Sequence, residues 1–320
     1  MFIFIILASI WIVLAQELSF PEFHESNLKI RLSVWEQNAS NLLIPFNGTR
    51  LPGSEESKVI QDFIKGHFRD VLNNDWHVET DSFEENGFNF TNLVFTPIHG
   101  DSYLVIAAHY DTKIDPIGFI GAIDSGASCA ILLYIATFID HILTVDRDLL
   151  DPVLLDSSIG LKIVFFDGEE AINQWGPNDS IYGSKHLARK WEKLGILSKI
   201  DLFVLMDLLG SNEQQPVHSY YRSSHRHYTA LSQIEDLISG TQIKWLDPAE
   251  TKYVELNDPI IDDDHRPFYE AGIPILHLIP FPFPSTWHTL DDNFDNLDEG
   301  SIQKWALMMS QFVLDFLRDL

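Results

Sequence analysis

The chain has 320 residues, of which 45% are hydrophobic and 21% are charged, a composition typical of a folded protein with a large buried core. Its 21 basic and 47 acidic residues give a net charge of −26. A surface this acidic repels nucleic acid and anionic membranes, so the charge argues against nucleic-acid binding and favours cationic partners.

The first 15 residues carry no charge and predict a signal peptide that is cleaved after Ala15. Their apolar run is shorter than the roughly 20 residues that a transmembrane helix needs. A retained anchor is the alternative, because no Lys or Arg precedes the run. Four N-x-[ST] sequons suit a secretory route and predict glycosylation sites at Asn38, Asn47, Asn89 and Asn178. We therefore expect a secreted glycoprotein, with retention in the Golgi as the alternative.

Residues 17–50 show no clear hydrophobic period, and we expect them to wrap the surface. Ser54 then precedes apolar residues at helical spacing between Val59 and Leu72, so it is the expected N-cap of a helix. Three strands should follow, the last of them buried and ending at His109-Tyr110-Asp111: residues 76–79, 88–95 and 103–108.

The middle of the chain is apolar almost all round between residues 127 and 143, which predicts a buried helix beginning beside Asp124. Leu161 to Phe166 predicts a strand buried on both faces, as in a parallel sheet, and it ends in Asp167-Gly168-Glu169-Glu170. Five more elements alternate between helix and strand: a helix from residue 182, a strand over 202–206, a helix over 228–238, a strand over 273–279 and a helix over 302–316. This alternation predicts an α/β fold in one domain over residues 16–320.

Acids and histidines follow four of the predicted core strands. They are His109 and Asp111, then Asp167, Glu169 and Glu170, then Asp207, and after the last strand His288, with Asp124 at a helix start. Ligands bind at the carboxyl ends of strands in open α/β sheets. Two adjacent glutamates resist joint ionisation, so a metal, a proton or both should hold them.

Carboxylates mixed with imidazoles favour zinc in such a site. Each residue alone has a structural explanation as well. His109 could be a core histidine that is hydrogen-bonded to a backbone carbonyl, and Asp124 could be the N-cap of a helix. The sequence contains no HExxH, Walker A or GxGxxG motif, so a zincin helix and a nucleotide site have no support.

The order His109-x-Asp111, Asp124, Glu169-Glu170, Asp207, His288 resembles the zinc aminopeptidase family M28. A finer resemblance, over roughly residues 45–320, is to the glutaminyl-peptide cyclotransferases. The motifs that carry it are His109 to Lys113, Phe165 to Ala171, Asp179 to Ser184, Asp263-Asp264-His265, Leu276 to Pro284 and Trp287 to Asn293, with Arg50 to Ser54 near the start. The resemblance implies a three-layer, zinc aminopeptidase-like sandwich, in which a mixed, mostly parallel sheet has helices on both faces.

The resemblance also implies a role for each matching residue. Asp124, Glu170 and His288 would bind one Zn²⁺ per chain. Glu169 would be the general acid/base, in a hydrogen-bonded network with Asp207 and Asp263, and crowding by acids should raise its pKa. The substrate pocket would be lined by Trp175, Phe283, Trp287 and Ile261.

The implied reaction converts an N-terminal Gln of peptides and proteins, and more slowly a Glu, into pyroglutamate with release of ammonia from Gln. Zinc would polarise the γ-carbonyl group while Glu169 shuttles the proton. The expected partners are therefore peptides with N-terminal Gln or Glu, with no nucleic acid and no membrane after signal cleavage. We expect the protein to be a monomer.

Two positions depart from the family pattern. Animal relatives usually carry a cysteine at the position of Ala108, paired with the cysteine at the position of Cys129. Here Cys129 is the single cysteine and lies in an apolar helical run, so we expect a buried, inert thiol and no disulfide. Asp262 stands where some relatives have a neutral residue, which would make the network more acidic.

Two other functions remain compatible with the sequence. A two-zinc aminopeptidase would use His109 and Asp207 for a second metal and Glu169 to activate water. A protein of another class, an inactive binding protein, would keep the fold without the chemistry. Trp175, Trp287 and the run from Asp263 to His265 favour the cyclotransferase.

Overall fold

The structure, a computed structural model, describes residues 18–150, 159–213, 215–239, 244–250 and 261–318. The predicted signal peptide lies outside these ranges and stays a prediction. Within the described ranges, the strands are β1 (His77–Glu85), β2 (Phe88–Ile98), β3 (Ser102–His109), β4 (Ile159–Phe166), β5 (Ile200–Met206) and β6 (Ile275–Leu278). The α-helices of the same ranges are α1 (Pro21–Arg31), α2 (Glu55–Gly66), α3 (Ala127–Val145), α4 (Tyr182–Lys193), α5 (His225–Ser239), α6 (Arg266–Glu270) and α7 (Glu299–Leu317).

The strands form one mixed sheet in the order β1-β2-β4-β3-β5-β6. Strands β4, β3, β5 and β6 run parallel, whereas β2 is antiparallel to both of its neighbours. Asn86 and Gly87 join β1 to β2, and both have positive φ angles, of 53° and 82°, as a tight two-residue hairpin turn requires. The predicted mixed, mostly parallel sheet is confirmed.

Helices cover both faces of the sheet, because successive strand residues point to opposite sides. On one face, Leu104 and Ile106 of β3 belong to a large core to which α2, α3, α5 and α7 contribute. On the other face, Val105 packs in a second core with Trp191 of α4 and Phe268 of α6. The predicted three-layer arrangement is therefore confirmed.

Helix α3 lies at the centre of the larger core. Among the described residues, the stretch Ala122–Val145 alone is long and apolar enough to cross a membrane, but most of it is buried inside the protein. Its burial against α7, β3 and β4 explains the apolar sequence without a membrane. The predicted buried helix is confirmed.

Residues 18–50, which precede α2, do not simply cover the surface as the sequence predicted. Part of this segment forms α1, and residues further on, including Leu32, Leu43 and Phe46, are fully buried. These apolar residues follow no helical or strand period, because Leu32 caps the end of α1 while Leu43 and Phe46 lie at a short 3-10 turn. Burial here results from docking onto the folded core, which local periodicity does not reveal. The N-cap prediction for α2 is confirmed, since the Ser54 side chain accepts a hydrogen bond from Ser57 N–H.

Candidate active site

The parallel strands end at one edge of the sheet and bring the predicted polar residues together. His109, the last residue of β3, is in register with Phe166, the last residue of β4. Asp207 directly follows β5, and its N–H donates to Leu278 O at the end of β6. Because these strand ends are level, the acids that follow β4 face those that follow β3 and β5.

Asp111 holds the glutamate pair in place. Its two carboxylate oxygens accept the backbone N–H groups of Glu169 and Glu170, each at 3.1 Å, and its side chain is fully buried. Gly168 has φ of 71°, and a Cβ atom there would lie 2.4 Å from the Phe90 ring, so the turn requires glycine. The Asp167 carboxylate accepts Thr91 N–H at 2.8 Å, which gives it a structural part in this turn.

Asp124, Glu170 and His288 form a group whose ligand atoms lie within 4.8 Å of one another. His288 Nε2 is 3.4 Å from Asp124 Oδ2 and 3.5 Å from Glu170 Oε1, which is long for hydrogen bonds. Both oxygens are buried and have no hydrogen-bond partner. Unpaired buried oxygens beside an imidazole nitrogen are a donor set that suits a metal ion such as zinc.

A second group shares Asp124. His109 Nε2 lies 3.0 Å from Asp124 Oδ1 and 3.5 Å from Asp207 Oδ1. These three residues are therefore also close enough together to hold a metal ion. Burial alone would lower the pKa of His109, but its contacts with Asp111, Asp124 and Asp207 outweigh burial and raise that pKa well above 6.5. In contrast to the first group, the Asp124 oxygen used here already accepts a hydrogen bond from His109.

Glu169 is buried at the same place, and its pKa is raised well above the usual value. Burial is the largest cause, followed among the raising effects by the charges of Glu170, Asp263 and Asp264. The expectation that crowding raises this pKa is therefore correct in direction, but desolvation is the larger effect. Burial also raises the pKa values of Asp207 and Asp263 to about 7.

The predicted hydrogen-bonded network among Glu169, Asp207 and Asp263 stays a prediction, but two of these acids have neutral hydrogen-bond partners. Asp207 Oδ1 accepts Leu208 N–H at 2.9 Å, and Asp263 Oδ2 accepts the Nε2–H of His277 at 2.7 Å. The charge of Asp263 raises the pKa of Glu169. Two acids repel each other unless a proton is shared between them, so neutral donors are the better partners for both.

Three further residues support the site, and sequence reasoning did not assign them a role. Arg50 is fully buried and donates to the carbonyl oxygens of Ile120 and Gly121, at 2.7 and 3.2 Å, in the loop that leads to Asp124. Asp292 Oδ1 accepts Ile123 N–H at 2.8 Å from the other side of this loop. Lys113 Nζ lies 3.3 Å from Glu170 Oε2. All three residues stand in motifs that resemble the family, and these motifs were the available signal.

One cavity of about 350 Å³ is lined by most of the predicted site residues. Its walls include the metal candidates Asp124 and His288, the acids Glu169, Asp207 and Asp263, and all four predicted pocket residues, Trp175, Ile261, Phe283 and Trp287. Lys113 and Asp262 also line it, and Trp175 Nε1–H donates to Asp262 Oδ2 at 3.3 Å. The Trp287 ring stacks on His288 with centroids 3.9 Å apart, so a wall of the cavity also orients a candidate ligand.

Cys129 is the buried thiol that the sequence predicted. It forms no disulfide, and its Sγ–H donates to His109 O at 3.1 Å. Burial raises the pKa of the thiol to about 12, so it is neither a nucleophile nor a metal ligand at neutral pH.

Comparisons with known proteins agree with this geometry. Residues 92–313 match the model of peptidase family M28. An uncharacterized protein of Saccharomyces cerevisiae is 49% identical over 94% of this chain and 91% of its own length. The glutaminyl-peptide cyclotransferase of Drosophila melanogaster is 37% identical over 94% of this chain and 85% of its own length.

A solved structure extends the similarity to the whole fold. The glutaminyl cyclase of Macrostomum lignano covers 95% of this chain and 94% of its own, with a TM-score of 0.78 at 28% identity. The family match spans more than half of the chain, and the Drosophila relative is similar over most of both lengths. The chain therefore belongs to peptidase family M28 and, within it, to the glutaminyl-peptide cyclotransferases.

Proposed function

We propose that this protein is a zinc-dependent glutaminyl-peptide cyclotransferase. It converts an N-terminal Gln of peptides and proteins, and more slowly an N-terminal Glu, into pyroglutamate, with ammonia released from Gln. The observation that carries the proposal is the pair of buried, unpaired oxygens on Asp124 and Glu170 that face His288 beside the buried acid Glu169. The names of its relatives support the same reaction.

The metal group fits one zinc ion per chain, held by Asp124, Glu170 and His288. Bound there, zinc would supply Lewis acidity toward the γ-carbonyl oxygen of the substrate glutamine. The chain itself fixes the ligands. Asp111 holds the backbone of Glu170, and stacking on Trp287 orients the His288 ring.

Glu169 handles the proton in this proposal. A bond forms between the α-nitrogen of the substrate and the carboxamide carbon of its side chain, while the bond from that carbon to the amide nitrogen breaks. Glu169 accepts a proton from the attacking amine and delivers it to the departing nitrogen, which leaves as ammonia. A raised pKa suits this role, because the carboxyl group must keep the proton between the two transfers.

The pocket walls favour the folded substrate. Trp175, Phe283, Trp287 and Ile261 offer apolar surface that encloses the aliphatic part of glutamine and excludes water. Closing a five-membered ring is intramolecular, so a pocket that selects the bent conformer lowers the entropic barrier. The nucleophile belongs to the substrate, and no activated water is needed.

A two-zinc aminopeptidase is the second candidate, and the group formed by His109, Asp124 and Asp207 favours it. In that enzyme Glu169 would activate a water molecule instead of an amine. The existing hydrogen bond between His109 and Asp124 argues for the one-metal site, since it already satisfies the shared oxygen.

The test is an ammonia-release assay on Gln-peptides beside a hydrolysis assay on aminoacyl dyes, with metal content measured per chain. We expect ammonia release, one zinc per chain, and loss of activity on chelation that zinc restores. Two metals per chain with dye hydrolysis would establish the aminopeptidase instead. A folded protein that turns over neither substrate would be an inactive binding protein.

We also propose that the protein is a secreted, monomeric glycoprotein. The four sequon asparagines are all exposed, so each is accessible to glycosylation: Asn38, Asn47, Asn89 and Asn178. Treatment of the secreted product with an N-glycosidase should lower its mass, and an unchanged mass would contradict the proposed glycosylation. Size-exclusion chromatography with light scattering tests whether the protein is a monomer, and the mass of a dimer would contradict the proposal.

A further inference from the structure

Three aromatic side chains form a row that leads from the cavity to the surface: Phe281, Phe283 and Trp287. Phe283 and Trp287 line the cavity, and their ring centroids are 4.6 Å apart. The Phe281 ring packs edge to face against Phe283, with centroids 5.9 Å apart, and lies outside the cavity lining. Phe281 is 45% exposed and Trp287 is 37% exposed. This aromatic row is therefore a continuous apolar surface that extends past the mouth of the cavity.

The Phe281 backbone is held firmly although its side chain is exposed. Its N–H donates to Pro216 O at 2.9 Å, and its carbonyl oxygen accepts the Nε2–H of His218 at 2.9 Å. Single exposed apolar residues are common on protein surfaces, but this one is fixed and continues a row that starts inside a cavity. A preorganised ring binds another apolar group with little loss of conformational entropy. The aromatic row is thus suited to contact a bound peptide.

The cavity is too small to enclose a whole peptide. Its volume of about 350 Å³ is at the lower end of the roughly 300–1,000 Å³ of ligand pockets. Under the proposed function it holds the N-terminal Gln beside Glu169, so the residues that follow Gln must lie outside. Each residue of an extended chain spans about 3.5 Å, less than either ring separation in the aromatic row. A peptide that leaves along this row brings its second or third residue to Phe281.

We propose that Phe281 is a specificity-determining residue, which favours Gln-peptides with an aromatic side chain at the second or third position. This inference rests on the proposed function, because the N-terminal Gln occupies the cavity there. Edge-to-face and offset-stacked aromatic pairs gain free energy beyond the burial of apolar area, and the exposed part of the Phe281 ring is available for such a pair. Because Phe281 lies outside the cavity, it selects the peptide beyond the reacting residue.

The test compares kcat/KM for ammonia release from three amidated peptides, Gln-Ala-Ala, Gln-Phe-Ala and Gln-Ala-Phe, with the zinc-loaded full-length protein. We expect the parent to favour at least one of the two Phe peptides over Gln-Ala-Ala by roughly 3- to 10-fold, the range of one aromatic pair. Phe281→Ala should lose this preference. Phe281→Tyr should keep it, because the ring remains. If Phe281→Ala does not fold, Phe281→Leu takes its place, since it also lacks the ring.

The ratio of kcat/KM between peptides separates a contact with the substrate from an effect on the fold. A displaced Phe283 would change kcat/KM for all three peptides alike, whereas the loss of a contact with one side chain changes the ratio. Trp35→Ala is the matched control, because Trp35 is another exposed aromatic residue, 66% exposed, and lies outside the cavity lining. It should keep the parent ratio.

Two results would overturn the inference alone. A parent that releases ammonia from all three peptides with the same kcat/KM would show that the aromatic row selects nothing. A Phe281→Ala variant that keeps the parent preference would assign the selection to another residue. A zinc-loaded parent that releases no ammonia from any of the peptides would overturn the proposed function, and this inference with it.

Discussion

Asp111 should be essential for the geometry of the glutamate pair, although it lies behind the cavity. Asp111→Asn replaces one acceptor oxygen by an amide group that cannot accept a hydrogen bond from Glu169 or Glu170. The loss of one hydrogen bond to a charged group costs about 1.5–3 kcal/mol, and the unpaired buried N–H adds to it. We expect the free energy of unfolding to fall by about 3 kcal/mol, which for a chain of 320 residues corresponds to roughly 5 °C in Tm.

Asp140→Asn is the matched control. Asp140 is also buried and accepts two consecutive backbone N–H groups, from Asn73 at 2.8 Å and Asn74 at 3.0 Å. It lies near the C-terminal end of α3, whereas Asp124 precedes the start of this helix. In thermal unfolding, the two variants should therefore lose similar amounts of unfolding free energy, but only Asp111→Asn should alter the candidate active site.

The decisive assays are zinc affinity and kcat for ammonia release. Displacement of Glu169 and Glu170 by about 1 Å should lower kcat roughly 100-fold in Asp111→Asn and weaken zinc binding. Asp140→Asn should retain the parent values of both. An Asp111→Asn variant that keeps parent zinc affinity and kcat while losing stability would refute the positioning role of Asp111.

Three other predictions follow from burial and from the N-terminal sequence. Burial holds the pKa of His67 at about 4, against about 6.5 in the unfolded chain, so the unfolded state binds the proton first as pH falls. This group's contribution to stability is therefore complete above pH 6.5 and is lost toward pH 4. His67→Gln should remove about 2 kcal/mol of the decline in unfolding free energy between pH 7 and 5, and an unchanged decline would contradict the assignment. The Cys129 thiol should not react with a thiol reagent at pH 8 until the protein is unfolded, and rapid labelling of the native protein would disprove its burial. Mass spectrometry of the secreted product should find Gln16 at the N-terminus, with one ammonia missing if the enzyme acts on itself, whereas a product beginning at Met1 would show that no signal peptide is removed.

Much of the fold could be predicted because buried strands have an unmistakable local pattern. The run from Leu161 to Phe166 is apolar on both faces and stops at Asp167, so the strand and its polar end were both visible. Parallel strands place their carboxyl ends at one edge, and this rule brought His109 and Asp207 to the same site. The pocket aromatics came from the family resemblance alone, since nothing in their spacing predicts a shared cavity.

Contacts between distant segments could not be predicted. Asp111 reaches the amides of Glu169 and Glu170 only after β3 and β4 have paired in register. The sequence around His277 resembles any apolar strand, so its bond to Asp263 was invisible. The neutral donors to Asp207 and Asp263 could not be predicted either, because residue types do not reveal which backbone and side-chain groups come near a buried acid.

The most direct test of the central claim is ammonia release by Glu169→Gln, measured together with zinc per chain. Gln has the shape of Glu but cannot carry the proton, and the proposed zinc ligands Asp124, Glu170 and His288 are untouched. We predict a folded variant with the parent zinc content and a kcat lower by at least about 100-fold on a Gln-peptide. Ammonia release at the parent rate by this zinc-loaded variant would contradict the assignment of the proton shuttle to Glu169.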